Sequence, residues 1–199
     1  QYGVYLLSDE IHADFGMTRP YTTAGRFEKI HDRLVVYTAI SKTFNMAGLG
    51  SSCMMIPNPE LKQKISDRYD ACWMFGPCDL AFTAMEAAYT HGDAWVDQQL
   101  AYLEDNVETV NSFVAEHMPG VQVTKHEGTF LMWLDMTCLN LGSTRITEIL
   151  AKEYGLALGD GSHYGKQADG FMRLNIGCTR RLLGQGLEQL AKMYDTYKK

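Results

Sequence analysis

The stretch Leu34-Val35-Val36-Tyr37-Thr38-Ala39-Ile40-Ser41-Lys42-Thr43-Phe44-Asn45 encodes a strand and the turn directly beyond it. The β-branched, almost uninterrupted apolar run predicts a strand covered on both faces, as in a parallel sheet. Lys42 then stands just past the strand's C-terminal end, where α/β sheets hold their ligands. Partial burial lowers an amine's pKa from about 10.4 toward neutrality, so a lysine placed there can attack an aldehyde. A surface lysine following a strand is the plainer alternative.

Toward the N-terminus, Gly3-Val4-Tyr5-Leu6-Leu7 reads as a second buried strand that delivers Ser8-Asp9-Glu10-Ile11-His12 at its C-terminal end. A carboxylate at that edge can hold a protonated ring nitrogen; a helix cap, or a metal site built from Asp9, His12 and Asp14, are the other readings. The 26 residues between the two strands are too many for a hairpin and predict a loop over the site side of the sheet. The first residue is Gln1 rather than Met, and a strand pattern follows at once, so the chain is expected to begin inside a fold.

Toward the C-terminus, Gly48 to Ile56 predicts a third strand, Glu60 to Ala71 a helix, and Phe75-Gly76-Pro77 a break. Asp79 to Thr90 is an Ala-rich helix, and Asp93 to about His117 contains neither Gly nor Pro, which predicts one long helix with a core-facing aromatic and aliphatic stripe. Beyond Pro119-Gly120 come Val121 to Thr124, Gly128 to Asp135, a helix near Thr144 to Tyr154, a strand at Phe171 to Ile176 and a final helix from Thr179: a separate small α/β domain. Arg173 sits inside its otherwise apolar strand. Its planar fork matches a substrate carboxylate, and an internal ion pair is the competing use. Gly128, before its strand, can let backbone approach a ligand or simply make a turn. Asp160-Gly161-Ser162-His163-Tyr164-Gly165 has the composition of a flexible loop.

The chain has 199 residues, 46% hydrophobic and 21% charged, enough to bury a core. A net charge of -6 argues against a general nucleic-acid binder. No apolar run reaches the length of a membrane span, and no signal-peptide pattern opens the chain. Five cysteines, an odd number with no Cys-x-x-Cys pair, fit a reducing cytoplasm and no metal.

In order and spacing, Ser8-Asp9-Glu10-Ile11-His12, Ser41-Lys42-Thr43-Phe44-Asn45-Met46-Ala47-Gly48, Glu127-Gly128-Thr129-Phe130 and Arg173-Leu174-Asn175-Ile176-Gly177-Cys178 resemble the fold-type I enzymes that use pyridoxal 5'-phosphate (PLP). Within them the chain is similar to the cystathionine β-lyase-like carbon-sulfur lyases of the MalY/PatB group, which share the class I and II aminotransferase fold. The resemblance runs over nearly the whole chain. It implies an α/β fold made of the C-terminal part of the PLP-dependent transferase large domain (residues 1–92), a linking helix (93–118) and a small α/β domain (119–199).

It further implies that Lys42 carries PLP and later moves the Cα proton, that Asp9 pairs with the pyridine nitrogen, and that Ser41 lies near the phosphate. Arg173 then clamps the α-carboxylate, with Gly128 beside the substrate. His12 falls where many aminotransferases have Tyr and the lyases often have His. The arginine that many aminotransferases carry eight residues after the lysine is replaced by Gly50; both features lean toward the lyase branch. The implied reaction is β-elimination from a sulfur amino acid, giving thiol, pyruvate and ammonia. The family's N-terminal half supplies a phosphate loop, a ring-stacking aromatic and an Asn, so these residues alone are expected to be inactive. A homodimer is implied for the intact protein. A class I/II aminotransferase uses the same Lys42, Asp9 and Arg173, and a non-enzymatic regulatory PLP-fold protein is the reading from another class.

Overall fold

The computed structural model describes residues 2–74 and 76–198, so of the break expected at Phe75-Gly76-Pro77 the first residue lies outside the described residues, while Gly76 and Pro77 fall between two helices. The chain divides into two compact units, 1–99 and 100–199.

In the first unit, β1 (Leu6–Asp9), β2 (Leu34–Thr38) and β3 (Cys53–Met55) form a sheet in the order β1-β2-β3. β1 and β2 are parallel, with Leu6 opposite Leu34 and Asp9 opposite Tyr37, whereas β3 runs antiparallel to β2. The sheet is therefore mixed rather than all parallel. β3 is also shorter than its sequence pattern, because residues 47–49 coil into a 3-10 turn ending at Gly50. Leu34, Val35 and Val36 are buried as expected. β1 departs from expectation: it starts later than Gly3, and Val4 and Leu7 are 70% and 61% exposed. β1 is the outer strand, with only β2 beside it among the described residues, so its apolar side chains lack cover.

The long connection from β1 to β2 holds three 3-10 turns, at 13–15, 24–26 and 28–33. After β2, the chain turns at once into α1 (Ile40–Thr43), the short helix that carries Lys42. Helix α2 (Pro59–Ala71) starts where Asn58 Oδ1 accepts from the N–H groups of Glu60 and Leu61, with Pro59 at the first helical position. α3 (Asp79–His91) buries Ala81, Met85 and Ala88 and ends at Gly92. A Cβ on Gly92 would fall 2.4 Å from the Phe44 ring, so only glycine lets that ring close over the junction with the next helix.

That helix, α4 (Asp93–His117), is the long one the sequence predicts, and the division between the units falls within it. Its stripe is core in its second-unit part, where Leu103, Val110 and Val114 are buried. Trp95, by contrast, is exposed.

The second unit is an antiparallel sheet of β4 (Gln122–Val123), β5 (Leu131–Asp135), β6 (Gly159–Asp160) and β7 (Phe171–Asn175), in the order β4-β5-β7-β6. Helices α5 (Ser143–Glu153) and α6 (Arg180–Tyr197) complete it. Strand alternation decides its faces. Met132, Leu134, Met172 and Leu174 are buried, and share the core with Ile146, Ile149 and Leu150 of α5 and Leu183, Leu187 and Leu190 of α6. Trp133, Phe171 and Arg173 alternate onto the opposite, half-buried face. The segment 160–165 is not a flexible loop: it begins as a strand and continues as a 3-10 turn capped by Asp160.

Asn106 of α4 is fully buried, and its amide donates to the backbone carbonyls of Ile176 at 2.9 Å and Cys178 at 3.5 Å. Asn106→Ala leaves the Ile176 carbonyl buried without its donor. A loss of about 1–3 kcal/mol in unfolding free energy is expected by urea denaturation; an unchanged midpoint would refute this role.

Candidate active site

Parallel pairing brings two strand ends to one edge of the first unit. Asp9 closes β1, and Lys42 follows β2 on α1. Lys42 is half-buried, and its Nζ makes no hydrogen bond or ion pair among the described residues. The turn that carries it is fixed from three sides. Phe44 N–H donates to the Ile40 carbonyl at 2.9 Å and Met46 N–H to the Ser41 carbonyl at 3.0 Å. The buried Thr43 hydroxyl donates to Asp14 Oδ2 at 2.7 Å, and the Trp95 indole N–H donates to the Thr43 carbonyl at 3.1 Å. Asn45 leaves the turn with φ of 54°, a left-handed conformation that Asn tolerates.

Asp9 is exposed at this edge, and its Oδ1 accepts from the Ile11 N–H at 3.2 Å. Its neighbour Glu10 is used structurally: it is buried, and Oε1 accepts from the Ser8 hydroxyl at 3.0 Å and the Ala24 N–H at 2.8 Å. His12 packs its ring against Phe15, with centroids 5.9 Å apart. Burial lowers the His12 pKa below the ordinary 6.5, the Lys42 ammonium lowers it further, and the Asp9 carboxylate opposes both. Both charges are therefore within electrostatic reach of the imidazole, which is neutral at pH 7. Ser41 is half-buried on α1, with its hydroxyl unengaged by protein among the described residues. Asp14 is committed to Thr43, and no group of three His, Cys, Asp or Glu side chains is arranged to hold a metal among the described residues.

The other two residues singled out from the sequence lie in the second unit. Gly128 is half-buried in the turn before β5, where His126 Nε2 lies 3.0 Å from the Thr129 carbonyl and Thr129 takes φ of 71°. Arg173 is half-buried on β7, with no carboxylate within 4.0 Å among the described residues, so the internal ion pair is not made. Asp14, Thr43 and Trp95 were not legible from spacing, since their hydrogen bonds join residues 29 and 52 positions apart.

The first unit is an α/β arrangement that places Lys42 and Asp9 at the same edge, beyond the C-terminal ends of two parallel strands. Residues 1–190 match the aminotransferase class I and II family, and the chain belongs to it. Among its relatives, cystathionine beta-lyase PatB of Bacillus subtilis (strain 168) is 34% identical over 192 residues, covering 96% of this chain and 50% of that protein. Protein MalY of Escherichia coli (strain K12) is 30% identical over 195 residues, covering 96% of this chain and 49% of that protein. The crystal structure of cystalysin from Treponema denticola, which contains a pyridoxal 5'-phosphate cofactor, superposes with a TM-score of 0.90 at 28% identity, covering 96% of this chain and 49% of that one. The chain spans about half the length of the curated relatives it matches.

The electrostatics of His12 can be read directly by NMR. Its titration midpoint is expected below 6.5. Lys42→Met removes a cation that opposes protonation and raises the midpoint, whereas Asp9→Asn removes an anion that favours it and lowers the midpoint further. A midpoint unmoved by either change would show that the three groups are not neighbours.

Proposed function

We propose that this chain carries the lysine, the ring-nitrogen partner and the carboxylate clamp of a PLP-dependent carbon-sulfur β-lyase. The observation that carries this reading is the meeting of an unpaired, half-buried Lys42 with Asp9 and a neutral His12 at one sheet edge. The likeness to PatB and cystalysin supports it. Residues 1–92 would belong to the large cofactor-binding domain, 93–118 to the linking helix and 119–199 to the small domain.

The donor set fits PLP chemically: an amine for the aldehyde, a carboxylate for the pyridine nitrogen, and an imidazole that adds no competing charge. For the phosphate the chain offers Ser41, and at position 50 a glycine in open space instead of an arginine. When bound, PLP supplies an electron sink for the negative charge left at an amino acid's Cα. Lys42 would hold the cofactor and then, as the free amine, take the Cα proton on Nζ. Asp9 would keep the ring nitrogen protonated, because a nearby anion favours the charged form. Arg173 would grip the α-carboxylate bidentately and so select which Cα bond is aligned for cleavage. With sulfur on Cβ, the products are thiol, pyruvate and ammonia.

The substrate is a thioether amino acid such as cystathionine, and the intact protein is a cytoplasmic homodimer. The 199 residues alone are expected not to turn over, since the relatives they match are about twice as long.

Borohydride reduction after mixing with PLP, followed by peptide mapping, is expected to leave the cofactor on Lys42 and on no residue of the Lys42→Ala chain. In the full-length protein, Lys42→Ala should slow thiol release from cystathionine by about a thousandfold. A stoichiometric adduct on another lysine, or undiminished release, would overturn the assignment.

A further inference from the structure

Arg173 is held by aromatic side chains rather than by an acid. Its Cζ lies 5.1 Å from the centroid of the Tyr164 ring. Trp133, directly opposite Arg173 across the β5–β7 ladder, packs against Tyr164 in a T-shaped contact at 5.6 Å and 85° and stacks on Phe171 at 5.8 Å and 20°. On the β6 side, Gly159 is paired with Arg173, and a Cβ there would fall 3.0 Å from Arg173 Cβ and 3.2 Å from Nε. The guanidinium thus packs over a ring on one side, and the arginine's stem lies close against the backbone of a glycine on the other.

The segment that carries Tyr164 is itself pinned. Asp160, 7% exposed, accepts from the Ser162 N–H at 2.8 Å and the Ser162 hydroxyl at 2.7 Å, and from the Thr144 hydroxyl at 2.8 Å. Burial alone would raise the Asp160 carboxyl, but hydrogen bonds from Ser143, Ser162 and Thr144 outweigh it and hold the group well below the usual carboxylate range. The cap therefore persists through neutral and mildly acidic pH.

We propose that Tyr164 is a positioning residue for substrate binding: its ring, fixed by the Asp160 cap and by Trp133, holds the Arg173 guanidinium in one plane so that its N–H donors are presented to an α-carboxylate. A planar cation over an aromatic face is attracted by the ring quadrupole, and a side chain already ordered loses less freedom when its ligand arrives. The ring does this work, and the phenol oxygen is not needed. The inference rests on the reading of Arg173 as the carboxylate clamp.

The test is calorimetric binding of L-alanine and of L-alaninamide, which lacks the carboxylate, to the full-length holoenzyme. Tyr164→Leu is expected to weaken L-alanine roughly three- to tenfold, the size of a cation–π contact at a partly exposed site, and to leave L-alaninamide unchanged. Tyr164→Phe should stay within about twofold for both ligands. If Tyr164→Leu does not fold, Gly159→Ala, which crowds Arg173 from the other side, should give the same selective loss. Equal weakening of both ligands, or no weakening of either, overturns the platform. Arg173→Ala separates the failures: if it too leaves L-alanine binding intact, the clamp reading itself falls, whereas selective loss in Arg173→Ala with none in Tyr164→Leu removes only the role of Tyr164.

Discussion

Parallel pairing of β1 with β2 is the constraint on which the first unit depends. Parallel strands end at the same edge, so the residues that follow both are brought together whatever lies between them in the chain. The ladder continues past β1, where the Glu10 N–H donates to the Tyr37 carbonyl at 2.8 Å, and this holds the segment leading to His12 against β2. Turning the chain into α1 immediately after β2 then places Lys42 at the edge that already carries Asp9. Glu10, buried and accepting two hydrogen bonds, ties down the intervening connection at Ala24. Two adjacent carboxylates thus serve different ends, Glu10 inside the fold and Asp9 at its exposed edge.

In the second unit the corresponding constraint is the two-residue period of β5 and β7. The period that buries Met132, Leu134, Met172 and Leu174 must turn Trp133, Phe171 and Arg173 the other way. An apolar core on one face and a cation among aromatic rings on the other are therefore products of one alternation. Arg173 is only half-buried, so its guanidinium stays partly hydrated while it packs over the Tyr164 ring, and no carboxylate occupies its donors among the described residues. The Asp160 cap steadies the segment that carries Tyr164, and the side chain missing at Gly159 leaves room for the arginine beneath that ring.

The exposed faces of β1 follow from the same arithmetic of layers. The run Val4-Tyr5-Leu6-Leu7 that leads into and opens β1 is written for burial, and among the described residues only β2 lies beside the strand. The family relatives are about twice as long as this chain. Left bare, such an edge is prone to non-native pairing.

The local rules were legible in the residues themselves. Apolar runs marked β2, β5 and β7, the absence of Gly and Pro from 93 to 117 marked α4, and residue pattern placed helices from Glu60 and from Thr179, because each depends on neighbours a few positions away. Motif order likewise identified the family and singled out Lys42, Asp9, His12 and Arg173. Long-range pairing was not legible: the antiparallel direction of β3, the exposure of β1 and Trp95, and the strand and cap within 160–165 all depend on partners distant in sequence. The hydrogen bonds from Asp14 and Trp95 to Thr43, and the ring of Tyr164 beside Arg173, belong to the same group. The sequence by itself determined which residues have the chemistry to act. Only the tertiary structure decided which of them are unpaired and what orients them, because ion pairing and ring contact are matters of separation in space, which spacing along a chain does not encode.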